Sequence, residues 1–513
     1  MNKKSLIEDR FEIIFLSIGA IFLLIGIVLL HNGQFLPVAV EAFIHFRISQ
    51  NFYEYGAPYF NLGEPIATSS SLLWTIVLIG LGGIFPISPS TLIVFNTIIL
   101  ILISLTTLAI CRKLKIKAFH SLCISLLIIS ICAYSSCQLM ETPLAIFLLL
   151  LSSLLMLQKQ NSSGAIICLA LLPFLRPEFA LFSGLIYILS LQQGVFSIKK
   201  VGALLSIVTI PLIAISIYWY GSLIPQSVRA KSVVYDNDNL LELFWAIVPK
   251  FWFDTEFSVW LSVLFLIGLC YGYFRLIFYK TDIDIPRSLI RSLKIFPLAI
   301  MISYYLSGAY LHEWYYPIFA CPIVFGALVG LISFRSKIRS LFYFLIIAPT
   351  LVSLGSLVVK THTEMNCFEQ RVSLYKDAGI KLKRSFPNAK VLSSEIGALG
   401  YYFPGYIYDA LGLATPSATA FHPMNVPEER STSKLGSIPP EFVRKVDPEI
   451  IVTFARYGEA LLRSENILSA YNHHTLRGNC TIDDPDYDLN ILHLFFKPNL
   501  NGMAKDLSLD PII

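Results

Sequence analysis

The sequence predicts a polytopic α-helical membrane body followed by a C-terminal α/β domain, on three observations. Hydrophobic residues make up 55% of the 513, charged residues only 14%, and the mean hydropathy is +0.66. A soluble domain of that composition would lack the polar surface that water demands. Apolar runs of spanning length recur until about residue 360 and then stop. Beyond that point Asp, Glu, Pro, Asn and His return, and strand-like and helix-like patterns alternate. The chain therefore divides into a transmembrane body, 1–360, and a C-terminal domain, 361–513.

Taken in order, the apolar runs 11–31, 90–111, 118–136, 143–157, 164–175, 179–192, 201–220, 257–279, 294–309, 315–334 and 341–359 give about eleven transmembrane helices. Lys3, Lys4 and Arg10 precede the first run, which is long for a signal peptide and lacks a small-residue cleavage site after it. The stretch 71–85 is also apolar, and positive charge decides its place. If it does not cross, the clusters at 112–117, 199–200, 280–294 and 335–339, and Lys159, all fall on the side of Lys3 and Lys4. It is therefore expected to lie as an interfacial helix within the first outer loop, with Trp74 suited to the boundary. The N-terminus is then cytoplasmic and the C-terminal domain extracytoplasmic. The net charge of +5 is a topology signal of this kind and makes no case for nucleic acid.

In the C-terminal domain, helices are expected at 366–385 and 458–469, and strands at 389–393, 405–409, 450–454 and 490–497. Nucleophile-elbow and phosphate-loop patterns do not occur there. Of the nine cysteines, seven lie in or beside apolar segments, where cysteine acts as a small hydrophobe. Cys367 and Cys480 fall in the polar domain and could pair in an oxidising compartment. The triplet Asn479-Cys480-Thr481 fits a glycosylation acceptor, a short motif that arises often by chance.

With this topology the outer loops collect most of the unusual polar residues: Glu41, His45, Arg47, Glu64, Glu141, Arg176, Glu178, Arg229, Lys231, His312 and Glu313. Polar side chains converging on one face of a membrane body point to a binding or active site there. Glu141 begins a span, where N-terminal capping alone could account for a carboxylate. Trp314, Tyr315 and Tyr316 suit either a sugar platform or an interfacial aromatic belt.

The first outer loop carries Glu41, Ala42, Phe43, Ile44, Arg47, Asn51, Gly56, Asn61, Gly63, Glu64, Ser69, Ser70, Leu73, Trp74 and Thr75 in a pattern that resembles bacterial arabinofuranosyltransferase-like members of the GT-C glycosyltransferase superfamily. Met140-Glu141-Thr142, Arg176-Pro177-Glu178, the run Gly221, Pro225, Gln226, Ser227, Ala230, Lys231, and then Glu395-x-Gly397 with Asp409-x-x-Gly412-Leu413 follow in that family's order. The likeness covers most of residues 1–415.

The resemblance implies transfer of a sugar from a polyprenyl-phosphate-linked donor to a glycan or lipid acceptor on the outer face of a bacterial plasma membrane, with membrane lipids as surroundings. That chemistry needs a carboxylate to take the acceptor's proton and cations to hold the phosphate leaving group. Glu41 is the candidate base and Glu141 the second catalytic candidate. Arg47, Asn61, Glu64, Arg176, Glu178, Lys231 and His312 are the candidate substrate-binding residues, with Arg176 and Lys231 preferred for the phosphate. No metal ligands are assigned; a divalent cation is the one accessory the chemistry could recruit. Val40 stands where the family has its first acid. Two other readings stay open: a non-catalytic descendant that binds glycan or lipid, and a lipid or solute transporter, which would show broken helices with charges near midplane.

Overall fold

The computed structural model describes residues 39–159, 161–234, 256–279, 285–307, 315–332, 370–424, 437–464, 467, 469–478, 490–500 and 510–511. The expected spans at 11–31 and 341–359, the boundary near 360, His312, Cys367, Cys480 and the 479–481 triplet lie outside the described residues.

Among the described residues, twelve helices with named ends make up the body: α1 (Ala42–Tyr55), α2 (Leu72–Gly82), α3 (Pro89–Lys113), α4 (Ala118–Cys137), α5 (Thr142–Gln158), α6 (Ser163–Leu175), α7 (Phe179–Gln192), α8 (Ile198–Tyr220), α9 (Gln226–Val234), α10 (Glu256–Phe278), α11 (Arg287–Ser307) and α12 (Tyr316–Ile332). Each remaining expected span falls on one of them. Pro89–Lys113, Ile198–Tyr220 and Arg287–Leu306 are long and apolar enough to cross a membrane.

Local chemistry sets the helix ends. Ser88 caps α3, its hydroxyl accepting from the Thr91 N–H at 3.2 Å, with Pro89 in the first turn. Ser71 caps α2 through the Trp74 N–H at 3.3 Å. Arg176 is extended (φ −144°, ψ 115°) because Pro177 follows it, and this divides α6 from α7. The two form an antiparallel hairpin pinned by Ser183 to the Leu169 carbonyl and Tyr187 to the Ile166 carbonyl, 2.8 and 2.7 Å. Helices α10 and α12 meet at glycine: a Cβ on Gly272 would strike the Ala327 backbone, and one on Gly330 the Gly272 carbonyl.

Trp74 corrects one expectation. It is not a boundary anchor but a fully buried side chain, its ring 6.0 Å from that of Phe95. α2 packs against α1, α6 and α8, so the face carrying Trp74 is covered by protein. Among the described residues the seven cysteines of the apolar segments form no disulfide; five are buried, Cys137 is half-buried and Cys270 is exposed.

The C-terminal unit begins with a helix over 370–385 (α13). It continues through β1 (Val391–Ser393), α14 (Ile396–Tyr402), β2 (Ile407–Asp409), α15 (Pro440–Val446), β3 (Ile450–Phe454), α16 (Ala455–Leu462), β4 (Asn472–Arg477), β5 (Ile491–Phe496) and β6 (Asp510–Pro511). Its sheet runs β2-β1-β3-β5-β4-β6; β1 pairs in parallel with β2 and β3, and the β3–β5, β5–β4 and β4–β6 pairs are antiparallel. The expected helix at 458–469 instead begins at Ala455, directly after β3. β4 is not legible in the sequence because Asn-His-His-Thr-Leu-Arg lacks apolar alternation; its partner β5 supplies the apolar side chains.

The body and the C-terminal unit share one apolar core that runs from Phe43 and Phe46 of α1 to Leu399 and Phe403 and on to Val391 and Ile450 of the sheet. α14 seats directly on α1. A Cβ on Gly397 would collide with the Val40 carbonyl, so only glycine permits the approach.

Candidate active site at the junction of body and C-terminal unit

Three parts of the chain bring charge to this junction. From the first loop, Glu41 precedes α1 in helical geometry (φ −60°, ψ −30°) and its side chain caps nothing. His45 lies one turn on, so the two share a face. Among the described residues the Glu41 carboxylate has no hydrogen-bond or ion-pair partner on another residue. Burial raises its pKa above the ordinary 4.5; Lys231 and Arg371 work against that rise and Glu395 adds to it. His45 is buried, with Nδ1 unpartnered, and burial together with Lys231 and Arg176 lowers its pKa to about 4 despite Glu141, so it is neutral at pH 7.

The second part is the turn between α6 and α7. Arg176, 2% exposed, donates from one terminal nitrogen to Glu141 and from the other to Glu178, both at 2.7 Å. Tyr304 of α11 donates to the same Glu178 oxygen. The Arg176 guanidinium also lies 3.7 Å from the centre of the Tyr315 ring. Burial works to raise the Glu178 pKa, but Arg176 and the Tyr304 hydroxyl hold it below its usual value. Glu141 does not cap α5 through its side chain, which corrects the capping account; its carboxylate is committed to Arg176.

The third part is α9. Gln226 ties its start to both neighbours: its backbone N–H reaches the Ala67 carbonyl at 2.9 Å and its side chain the Gly412 carbonyl at 3.0 Å. One turn on, Lys231 donates to the Tyr315 hydroxyl at 3.1 Å. No carboxylate lies within ion-pair distance of Lys231 among the described residues. Burial opposes its charge, but Tyr315 and Glu41 more than offset that and raise its pKa.

Three of the candidates named from the first loop fasten the site together. The Arg47 guanidinium, expected to meet substrate, donates instead to the Phe60, Gly400, Phe403 and Gly405 carbonyls at 2.7, 3.0, 3.1 and 2.8 Å and stacks on Phe60. Asn61 pairs with both backbone groups of Ile407, at 2.9 and 3.1 Å, as an added rung on β2. Glu64 accepts from the Tyr406 hydroxyl at 2.7 Å. These three clasp the first loop to the C-terminal unit, and the second Glu64 oxygen is buried with no hydrogen-bond partner among the described residues. Asp409 closes the loop after β2 by accepting from the Leu411 and Ala414 N–H groups at 2.9 and 2.8 Å, and Gly412 adopts φ 82° within it.

The C-terminal unit adds residues that the sequence does not single out. Arg371 of α13 pairs with Glu395 at 2.7 Å and lies 3.3 Å from the Tyr457 hydroxyl. Arg371 has no motif to mark it, and Glu395-x-Gly397 is visible only as part of the resemblance. Among the described residues, no group of three or more His, Cys, Asp or Glu side chains is placed to hold a metal ion.

Among solved structures, the crystal structure of ArnT from Cupriavidus metallidurans bound to undecaprenyl phosphate superposes over 95% of this chain and 98% of that one, with a TM-score of 0.59 at 8% sequence identity. The chain has the ArnT fold. At 8% identity the ArnT likeness is one of fold, and the undecaprenyl phosphate is ArnT's ligand. Residues 364–489 match the model of a family described as a domain of unknown function, DUF8728, and this span includes Arg371, Glu395 and Tyr457. No curated protein matches the chain.

Proposed function

We propose that this chain is an integral membrane glycosyltransferase that moves a sugar from a polyprenyl-phosphate-linked donor to a glycan or lipid acceptor at the outer face of a bacterial plasma membrane. Glu41 is the general base and Lys231 the cation that meets the phosphate. The observation that carries this reading is a partially buried carboxylate that, among the described residues, has no hydrogen-bond or ion-pair partner on another residue, coupled electrostatically to a lysine that has no carboxylate within ion-pair distance among them. The ArnT fold, seen with undecaprenyl phosphate bound, supports a polyprenyl-phosphate donor. The basic clusters of the sequence support the outward-facing site, and nucleotide sugars, made in the cytosol, would not reach it.

In this mechanism Glu41 accepts the proton of an acceptor hydroxyl as that oxygen attacks the anomeric carbon. The bond from the anomeric carbon to the phosphate oxygen breaks and its electron pair leaves with the phosphate, whose growing charge Lys231 stabilises. Displacement in one step inverts the anomeric centre. Arg176, neutralised by two carboxylates, acts through Tyr315 to position Lys231. Val40 sits against Gly397 where the family has an acid, which favours a second reading as a non-catalytic glycan or lipid binder.

Release of polyprenyl phosphate from a panel of polyprenyl-phosphate sugars, in lipid nanodiscs, separates the readings. Turnover by wild type and a loss of roughly 10²–10⁴-fold in Glu41→Gln is expected. Equal turnover in both would move the base elsewhere, with Glu141 next to test. Binding without turnover by wild type would leave the non-catalytic reading standing.

A further inference from the structure

We infer that Arg371 and Glu395 form a hydroxyl-binding subsite for a neutral sugar, contributed by the C-terminal unit and lying beside Glu41; that the sugar is the acceptor rests on the transferase reading above. Three observations converge. The pair is enclosed, with side chains 12% and 13% exposed, and is held by the 2.7 Å ion pair and the Tyr457 hydroxyl. It sits next to the base because Gly397, two residues beyond Glu395, is pressed against the Val40 backbone, and because Arg371 and Glu395 both act electrostatically on Glu41. The second Glu395 oxygen is buried with no partner among the described residues, and Glu395 does not cap α14 through its side chain.

Charge then sorts the site into two halves. Arg371 is already neutralised by Glu395, so this side offers little net attraction to an anion, whereas Lys231 has no carboxylate within ion-pair distance among the described residues. A neutral ligand rich in O–H donors suits the spare carboxylate oxygen, since a charge-assisted bond from a hydroxyl satisfies it without importing charge. With the acceptor hydroxyl on the Glu395 side, Glu41 beside it to take its proton, and the phosphate on the Lys231 side, the anomeric carbon would lie between hydroxyl and phosphate, as in-line displacement requires.

The test uses the full chain in nanodiscs with two probes. Methyl glycosides of arabinofuranose, mannose and galactose are followed by saturation-transfer NMR, and undecaprenyl phosphate by quenching of tryptophan emission. Glu395→Gln is expected to weaken glycoside binding about tenfold and leave undecaprenyl phosphate binding unchanged, while Lys231→Met does the reverse. Glu395→Asp should restore part of the glycoside affinity. Wild type that binds no glycoside, Glu395→Gln that binds as wild type, or Glu395→Gln that loses both probes equally would each overturn the subsite. Glu395-dependent glycoside binding in a chain that ignores undecaprenyl phosphate would leave the subsite standing and remove the donor reading, so the two failures are distinguishable.

Discussion

Glu41 and Lys231 behave as an electrostatic couple, and their burial makes the coupling measurable. The Glu41 proton is held above the ordinary carboxylate value of 4.5 by burial, while Lys231 and Arg371 favour its loss. The base must be ionised to act, so the acid limb of kcat/KM is expected to lie above pH 4.5, with activity rising as pH climbs through it. Lys231→Met removes a cation that lowers this pKa, so the limb should move to higher pH, separately from the fall in rate caused by the lost phosphate contact. A limb that moves to lower pH, or stays in place, would mean that the two side chains are not coupled. Glu41, Arg176 and Lys231 can be picked out of the sequence because each stands in a motif. Their partners cannot: the fork of Arg176 onto Glu141 and Glu178 joins residues from two turns, and Tyr315 reaches Lys231 from the start of α12 across 84 positions of sequence.

At the level of elements, the seat of α14 on α1 decides whether the site exists. Gly397 allows backbone contact with Val40, and Arg47 fastens the other end of the same contact through four carbonyls. Gly397→Val is expected to destabilise the chain by roughly 1–3 kcal/mol and to remove activity by displacing Glu41, a result that a thermal-unfolding midpoint and a turnover assay would check together. Arg47→Met should cost on the order of 3 kcal/mol, because several buried carbonyls lose their donor. Arg47→Met with unchanged stability and a specific loss of donor affinity would instead return Arg47 to the substrate-binding set. The helices of the body are readable because runs of apolar residues and their Ser and Pro caps are local signals. α14, with seven residues, and β4, with its two histidines, give no such signal, since their identity comes from the surfaces they meet.

For the whole molecule, the shared core predicts that the C-terminal unit does not unfold on its own. All six tryptophans, from Trp74 to Trp314, lie in the N-terminal body, so their emission reports on that part alone. Amide exchange in β3, buried along its whole length, reports on the sheet. The two signals are expected to be lost together along one denaturation curve. Separate midpoints would show that the contact through Phe43, Phe46, Leu399 and Phe403 is a loose docking and not a common core.

Composition, apolar run length and charge clusters by themselves determined that the chain is a helical membrane body with a polar α/β end, because solvent preference accumulates residue by residue along the sequence. The first-loop motif likewise marks Glu41 without any geometry. Tertiary structure alone decided which polar residues act as clasps between the first loop and the C-terminal unit. Arg47, Asn61 and Glu64 look as functional in sequence as Lys231, but these three find backbone or hydroxyl partners in the C-terminal unit, whereas Lys231 donates to Tyr315 and meets no carboxylate within ion-pair distance among the described residues. Whether a buried charge is satisfied depends on groups hundreds of positions away, and only folding brings those groups within hydrogen-bond distance.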